Sequence, residues 1–346
     1  MKNLIDKLAL EKTLTKEEFV QLIVNFDEGE NRDYLFSKAT DARQLYYGKD
    51  VYIRGLIEFT NYCKNDCYYC GIRASNCNTE RYRLSKEEIL ECCHIGYGLG
   101  FRTFVLQGGE DMSYSDEKMV DIIRFIKRLY PDCAITLSIG ERSYKTYKKY
   151  REAGADRYLL RHETANEEHY SMLHPPKMSG KKRKKNLMEL KELGFQFGSG
   201  FMVGSPYQTP ELLAEDLLFI HEIQPHMVGI GPFIPHHETP FANKAPGSVE
   251  LTLFLIGLLR LMLPHALLPA TTALGTLHSD GRERGILAGA NVVMPNLSPM
   301  NVRTKYMIYD NKIATGLEAA ESLAILKEKM AGIGYQIVEA RGDYKN

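Results

Sequence analysis

The 346-residue chain has no net charge and no apolar run long enough to cross a membrane. Its 44 basic residues equal its 44 acidic residues, so no overall field draws the protein to nucleic acid or to an anionic membrane. The most apolar stretch, residues 251–270, is interrupted by Arg260, Pro264 and His265, whereas a bilayer requires about 20 consecutive apolar residues. We therefore expect neither nucleic acid nor a membrane as a partner.

Three further features are missing from the sequence. The first residues lack the apolar core and small-residue cleavage site of a secretory signal, which predicts a cytoplasmic protein. The seven cysteines are odd in number and all lie between Cys63 and Cys133, a pattern that fits a secreted disulfide framework poorly. No repeat, low-complexity tract or linker divides the chain, so we expect one main domain with terminal extensions.

A repeated strand–helix rhythm predicts the fold. Helix start signals, such as Ser85 with Glu88, alternate with short apolar runs, and each connection is long enough for parallel strand pairing. We predict an α/β protein with a (β/α)8 TIM-type barrel over residues 49–310. We expect residues 1–48 to form a helical lead-in and residues 311–346 to form a C-terminal tail that is helical to about Met330. The eight predicted strands are Val51–Phe59, Thr103–Gln107, Ala134–Ile139, Arg157–Arg161, Gln196–Val203, Met227–Phe233, Leu267–Ala273 and Asn291–Pro295.

The strongest chemical signal is a group of three cysteines directly after the first predicted strand. Cys63, Cys67 and Cys70 lie within eight residues, so one loop can fold them around a single metal centre. Thiolates select soft centres, which means zinc or iron–sulfur. A zinc site would need a fourth ligand such as His94, whereas a [4Fe-4S] cluster with three cysteine ligands leaves one iron open to a small molecule. Cys92 and Cys93 lie on a predicted helix and are expected to be buried.

This CxxxCxxC motif, with an aromatic residue before its last cysteine, resembles the radical S-adenosylmethionine (SAM) enzymes. The resemblance implies that the open iron binds the amino and carboxylate groups of SAM. It also implies that one electron from the cluster cleaves SAM to methionine and a 5′-deoxyadenosyl radical. The expected cofactors are therefore a [4Fe-4S] cluster held by Cys63, Cys67 and Cys70, and S-adenosyl-L-methionine.

Polar residues follow several predicted strands, where barrel enzymes carry their active sites. The segment Gln107, Gly108, Gly109 and Glu110 resembles the superfamily's GGE segment, which meets the SAM amino group. Glu163 follows the fourth strand and can accept hydrogen bonds from ribose hydroxyls or an ammonium group, although an ion pair with Arg157 or Arg161 is an ordinary alternative. In the cationic run 181–185 we single out Arg183, because its planar fork suits a carboxylate.

Further segments are similar to the [FeFe]-hydrogenase maturase family HydE over residues 48–310. These are Arg161–Asn166, Gly229–His236 with Thr239 and Pro240, Pro269–Ala273 and Gly289–Asn296. The family implies SAM contacts from Gln107, Glu163 and Arg183. It also implies a substrate cavity lined by Thr136, Ser138, Arg157, Thr271, Thr272, Met294 and Tyr306. From sequence alone, Thr271 and Thr272 are better explained as ordinary β-branched strand residues.

The HydE resemblance implies a role in building the hydrogenase cofactor. The expected substrate is an iron–cysteine carbonyl/cyanide species, delivered by the maturase HydG and passed toward HydF, with a low-potential electron donor. Methylornithine synthase and biotin synthase resemble the same residues. No cysteine follows Cys133, which excludes the accessory cluster that some members hold near the C-terminus. Sulfur insertion is disfavoured because no cysteine lies in a predicted barrel strand. A structural zinc or electron-transfer protein is the non-enzyme alternative.

Overall fold

The computed structural model describes residues 1–313 and 319–345. Its helices are α1 (Lys2–Glu11), α2 (Lys16–Val24), α3 (Gly29–Tyr47), α4 (Lys86–Gly98), α5 (Asp116–Leu129), α6 (Tyr144–Ala153), α7 (Glu167–Leu173), α8 (Gly180–Glu192), α9 (Pro210–Ile223), α10 (Val249–Met262), α11 (Thr272–Leu277), α12 (Gly281–Leu287), α13 (Met300–Arg303) and α14 (Ala319–Gly332). Its strands are β1 (Asp50–Ile53), β2 (Gly55–Thr60), β3 (Thr103–Gly108), β4 (Ala134–Ser138), β5 (Arg157–Leu159), β6 (Gln196–Ser199), β7 (Met202–Val203), β8 (Met227–Val228), β9 (Gly231–Pro232), β10 (Val292–Val293) and β11 (Gln336–Val338).

The centre of the fold is a parallel sheet in the order β2-β3-β4-β5-β6-β8. Helices connect most of these strands, and the connected strands are spatial neighbours, which is the pattern of right-handed βαβ units. All six residues of β2 are buried, as expected for a strand covered on both faces. The predicted α/β fold of the TIM-barrel type is confirmed.

The regular sheet does not run all the way round. The predicted strand Leu267–Ala273 makes only isolated bridges in the structure, from Leu267 to Met227 and from Pro269 to Val292. Strand β10 pairs in turn with β1, and the chain continues from β1 through Arg54 into β2. The backbone at Thr271 turns instead into α11. This part of the ring is therefore held by single bridges and by packing rather than by a continuous ladder.

Local capping explains where several helices begin. The side chains of Thr15 and Ser85 each accept a hydrogen bond from the backbone N–H three residues later. The side chains of Glu18 and Glu88 in turn accept a hydrogen bond from the backbone N–H of the cap residue. These are the two capping boxes that the sequence predicts. Gly154 ends α6 with a φ of 112°, a left-handed conformation that glycine adopts without strain.

The terminal segments pack on the outside and at the base of the barrel. In the lead-in, α2 contacts α9 and α3 contacts α10. The buried Arg43 of α3 donates hydrogen bonds to the carbonyls of Ala290, Gly48 and Asp50. The tail is helical over α14, while residues 314–318 of the predicted tail helix lie outside the described residues. The tail then adds β11 beside β1, a strand that the sequence analysis did not predict. The domain bounds at 48/49 and 310/311 stay a prediction.

None of the described helices is both long and apolar enough to span a bilayer. The apolar stretch 251–270 supplies most of α10, in which eleven of the fourteen residues are buried against the barrel and the lead-in. It is a core helix.

Candidate functional site

A cavity of about 350 Å³ opens at the carboxyl ends of the parallel strands. This is the end at which barrel enzymes hold their ligands. Most residues that the sequence singled out line this one cavity. They are Cys63, Cys67, Cys70, Gln107, Gly108, Gly109, Glu110, Ser138, Glu163, Arg183, Thr271, Thr272, Met294 and Tyr306.

The loop that carries the three cysteines is tied together by one arginine. The guanidinium of Arg81 donates hydrogen bonds to the carbonyls of Asn61, Ile72, Arg73 and Asn76. These carbonyls come from both ends of the loop, so one side chain with a fixed fork of donors sets the loop's shape. The cysteine positions therefore depend on protein–protein hydrogen bonds within the loop.

The three thiols fit an iron–sulfur cluster. Burial, followed by the neighbouring thiols, raises the pKa of Cys67 well above its ordinary value and that of Cys70 to about 12. A cationic centre that binds thiolates would relieve this mutual destabilisation. Within the described chain, the three sulfurs do not all lie within 4.8 Å of one another. A tetrahedral zinc ion with Zn–S bonds of ~2.3 Å would hold sulfurs roughly 3.8 Å apart.

The zinc alternative gains no support from the residues proposed to complete it. Cys92 and Cys93 are buried on α4, as expected, and they do not line the cavity. His94 lies 3.4 Å from the hydroxyl of Tyr130 through its Nδ1, on the outer side of the same helix. The cysteine loop therefore has no fourth ligand from this helix.

The two glycines after Gln107 allow the cysteine loop to approach β3 closely. A Cβ at Gly109 would lie 2.2 Å from the Tyr62 carbonyl oxygen and 2.8 Å from the Cys63 Cβ, so any larger residue would push the loop away. The next backbone N–H, that of Glu110, donates to the Cys63 sulfur at 3.4 Å. The Glu110 carboxylate is occupied by the Glu141 N–H and by Lys64. The GGE segment thus contacts the cysteine loop as well as the cavity.

Glu163 has a left-handed backbone, with φ of 67°, which is unfavourable for a residue other than glycine. Buried networks on both sides of it stabilise this conformation. Its neighbour His162 lies 2.8 Å from the Ser199 hydroxyl and 3.2 Å from Asp216, and Asp216 also accepts the Ala165 N–H. Strain of this kind concentrates at functional sites. The carboxylate of Glu163 faces the cavity.

Charged atoms near Glu163 and Arg183 are only partly satisfied by the protein. Arg161 Nη2 lies 3.1 Å from Glu163 Oε2, and Arg183 Nε lies 3.1 Å from Glu141 Oε1. Neither of these two ion pairs has hydrogen-bond geometry. Glu163 Oε2 and Arg183 Nε are therefore buried without a hydrogen-bond partner in the described chain. Buried polar atoms of this kind are costly unless a ligand or water satisfies them. They fit the ammonium, hydroxyl and carboxylate groups of SAM.

Two predicted cavity residues lie elsewhere. Arg157 is fully buried at the start of β5, at the opposite end of the strand from the cavity, and does not line it. Its guanidinium donates to Thr103, Gln196 and the segment 341–343. Thr136 lies mid-strand beside Arg157 and also does not line the cavity. The expectation that these two residues form the substrate cavity is corrected, because their inward side chains lie nearer the base.

The remaining predicted substrate residues do line the cavity, and their roles stay predictions. Thr271 and Thr272 start α11 rather than forming part of a strand, and the Thr271 hydroxyl has no hydrogen-bond partner among the described residues.

Glu58 and Lys312 also line this cavity, as a buried ion pair that no sequence motif predicted. A lone acidic residue in the otherwise apolar strand Gly55–Thr60 was the available signal for Glu58.

Comparisons with known proteins identify the family. The radical SAM superfamily model matches residues 57–220. The [FeFe] hydrogenase maturase subunit HydE of Thermotoga maritima is 45% identical over 312 residues, covering 90% of this chain and 88% of that protein. The 3-methylornithine synthase of Methanosarcina acetivorans is 32% identical over 279 residues, covering 80% and 78%. The crystal structure of methylornithine synthase (PylB) matches with a TM-score of 0.83 and 28% identity over 97% of both chains. This chain is therefore a radical SAM enzyme and belongs to the HydE family.

Proposed function

We propose that this enzyme cleaves SAM reductively and acts in the maturation of [FeFe]-hydrogenase on an iron–cysteine carbonyl/cyanide precursor. The observation that carries the proposal is the 45% identity to a HydE over 90% of the chain, together with three cavity-lining cysteines next to unsatisfied charged groups. A [4Fe-4S] cluster held by Cys63, Cys67 and Cys70 would supply the electron that breaks the carbon–sulfur bond of SAM.

The chain's own residues bind and orient the reactants. Arg183 offers a fully charged fork for the carboxylate of SAM, and the Glu163 carboxylate accepts hydrogen bonds from its hydroxyl or ammonium groups. Gln107 also lines the cavity and offers an amide donor and acceptor. Ser138, Thr271, Thr272, Met294 and Tyr306 surround the space left for the substrate, and their enclosure limits the access of water to a reactive radical.

The partners of this reaction are part of the proposal. An organometallic substrate that enters this cavity must be made by another maturase, for which HydG is the candidate, and the product is passed toward HydF. A low-potential electron donor must reach the cysteine loop. Lys64 and Lys177 are exposed beside this loop, and Lys177 Nζ lies 3.4 Å from the Lys64 carbonyl.

Anaerobic reconstitution with iron and sulfide tests the proposal. We expect absorbance near 400 nm, a change in the EPR spectrum of the reduced protein when SAM is added, and formation of 5′-deoxyadenosine with a strong reductant. Maturation of apo-hydrogenase in a mixture with HydG and HydF should then require this protein. Binding of zinc without iron-dependent absorbance, or failure to form 5′-deoxyadenosine, would contradict the proposal.

Methylornithine synthase is the second candidate, because two such enzymes are 30–32% identical to this chain. Incubation with lysine, SAM and reductant separates the two functions. We expect no methylornithine by mass spectrometry, and its appearance in catalytic amounts would replace the HydE-type assignment.

A further inference from the structure

Glu58 and Lys312 form a buried ion pair on the cavity wall that the proposed cleavage of SAM does not use. Lys312 Nζ lies 2.5 Å from Glu58 Oε1, and the two side chains are 5% and 1% exposed. Lys312 also donates to the Tyr306 carbonyl at 3.0 Å, while Glu58 Oε2 accepts a hydrogen bond from Asn296 Nδ2 at 2.9 Å. The pair is therefore anchored on both sides.

The strand order separates this pair from two of the three groups assigned to SAM, Glu163 and Arg183, whereas the third, Gln107, is the register partner of Glu58 on β3. Glu58 lies on β2, and Asn296 follows β10, the neighbour of β1. Arg161 and Glu163 follow β5, three positions away from β2 in the sheet, and Arg183 lies on the next helix but one. Glu58 therefore lies on a strand that does not neighbour β5 in the sheet. A SAM molecule that contacts Glu163 and Arg183 does not need Glu58 or Lys312, so this ion pair is available to another ligand.

Energetics favour a ligand-binding role over a purely structural one. A buried ion pair loses much of its Coulomb energy to desolvation and often stabilises a core no better than apolar residues do. This pair borders a cavity that holds few other charges: the remaining Asp, Glu, Lys and Arg residues among its described lining are Glu110, Arg161, Glu163 and Arg183. A ligand in the cavity can therefore reach a carboxylate and an ammonium that stand side by side.

We propose that Glu58 and Lys312 bind the ammonium and the carboxylate of an α-amino acid within the substrate. One ion pair in the protein is exchanged for two ion pairs with the zwitterion, so no charge is left unpaired. Met294 and Leu56, which line the same region, contact the rest of the ligand. The inference rests on the proposed function, whose precursor carries a cysteine, and it assigns the wall that binds this amino acid.

Calorimetry on the anaerobically reconstituted protein with SAM present tests the site with three thiols. L-Cysteine carries both charged groups, cysteamine lacks the carboxylate, and 3-mercaptopropionate lacks the ammonium. We expect L-cysteine to bind at least about tenfold more tightly than either analogue. This comparison needs no variant. Equal affinities for the three thiols, or no binding of L-cysteine at about 10 mM, would overturn the proposal.

Variants identify which residue binds the ammonium and which binds the carboxylate. Lys312→Met should weaken the binding of L-cysteine by about tenfold or more without weakening that of cysteamine, because cysteamine has no carboxylate to lose and its ammonium meets a Glu58 that has lost its cation. Glu58→Gln should weaken the binding of L-cysteine through its ammonium without weakening that of 3-mercaptopropionate, which has no ammonium and meets a Lys312 that has lost its carboxylate partner. Lys305→Met is the matched control, since Lys305 pairs with Glu80 at 2.5 Å outside the cavity. An equal loss for all three thiols in Lys312→Met would contradict the assignment.

Two further experimental outcomes would separate a failure of this inference from a failure of the proposed function. If the wild-type protein forms 5′-deoxyadenosine but does not discriminate among the thiols, the amino-acid site is wrong and SAM cleavage stands. If L-lysine binds more tightly than L-cysteine and the difference disappears in Lys312→Met, the site is supported and the cysteine-bearing precursor is contradicted.

Discussion

Replacement of Arg157 by methionine should destabilise the protein without weakening the binding of SAM or substrate. The Arg157 side chain is fully buried and donates to Gln196 Oε1, Thr103 Oγ1, the carbonyls of Arg341 and Gly342, and Asp343 Oδ1, at 2.6–3.1 Å. Methionine fills a similar volume but donates nothing, so the Gly342 carbonyl and part of the Asp343 charge lose their partner. Removal of one member of a buried pair costs about 3–5 kcal/mol.

Two features of the surroundings reduce that loss. Asp343 keeps a second ion pair with Arg341 at 2.8 Å, and its side chain is 38% exposed, so water compensates part of the change. Burial lowers the pKa of Arg54, and the charge of Arg157 lowers it further, so removal of Arg157 relieves this repulsion. We therefore expect a loss of about 2–4 kcal/mol in the free energy of unfolding.

Thermal and denaturant unfolding, followed by circular dichroism, measures this loss. For a chain of this size it corresponds to a decrease in Tm of roughly 3–6 °C. Asp343→Asn should give a smaller loss, and the double variant should lose less than the sum of the two single variants. An unchanged Tm combined with weaker substrate binding would refute the reasoning and return Arg157 to the cavity.

Three further predictions concern the site and its surroundings. Cys67→Ala should abolish 5′-deoxyadenosine formation, measured by chromatography, while the circular dichroism spectrum stays that of the wild type; retained product would contradict the ligand assignment. Arg183→Ala should weaken SAM binding by about 1.5–3 kcal/mol, because a charged hydrogen bond is lost, and an unchanged Kd for SAM in equilibrium binding would count against it. Burial lowers the pKa of His174 to about 3, and its neutral ring bonds to Tyr69 and the Tyr170 carbonyl. Below pH ~6.5 the unfolded chain binds a proton that the folded chain excludes, so the His174 contribution to the free energy of unfolding should fall by about 1.3 kcal/mol between pH 7.5 and 5.5. His174→Gln should remove this difference in denaturant titrations at the two pH values, and an identical pH dependence in the variant would show that His174 is not its source.

Local patterns predicted most elements of the fold. The capping residues at Thr15 and Ser85 act within one turn of helix, so the sequence reveals them directly. The strands over 103–108 and 134–138 are equally local, because apolar β-branched runs mark them. The segment 267–273 looked like a strand for the same reason. Whether such a run forms a ladder depends on distant partners, and here only single bridges form.

The site was predictable where it depends on spacing and hidden where it depends on folding. Three cysteines within eight residues predict a metal centre without any knowledge of how the rest of the chain folds. The position of Arg157 could not be read, because its partners at residues 341–343 lie more than 180 residues away. The pairing of Glu58 with Lys312 joins residues 254 apart in the chain, and no local pattern encodes it.

The hydrogen bonds of Arg81 have a consequence for the life of the enzyme. The loop that carries the thiols is shaped by four carbonyls on one guanidinium, and not by the metal it is built to carry. If the proposed cluster were destroyed by oxygen, the loop would therefore keep the hydrogen bonds that set its shape. Such a molecule would be suited to repair by fresh iron and sulfide, and it would not have to be degraded and synthesised again.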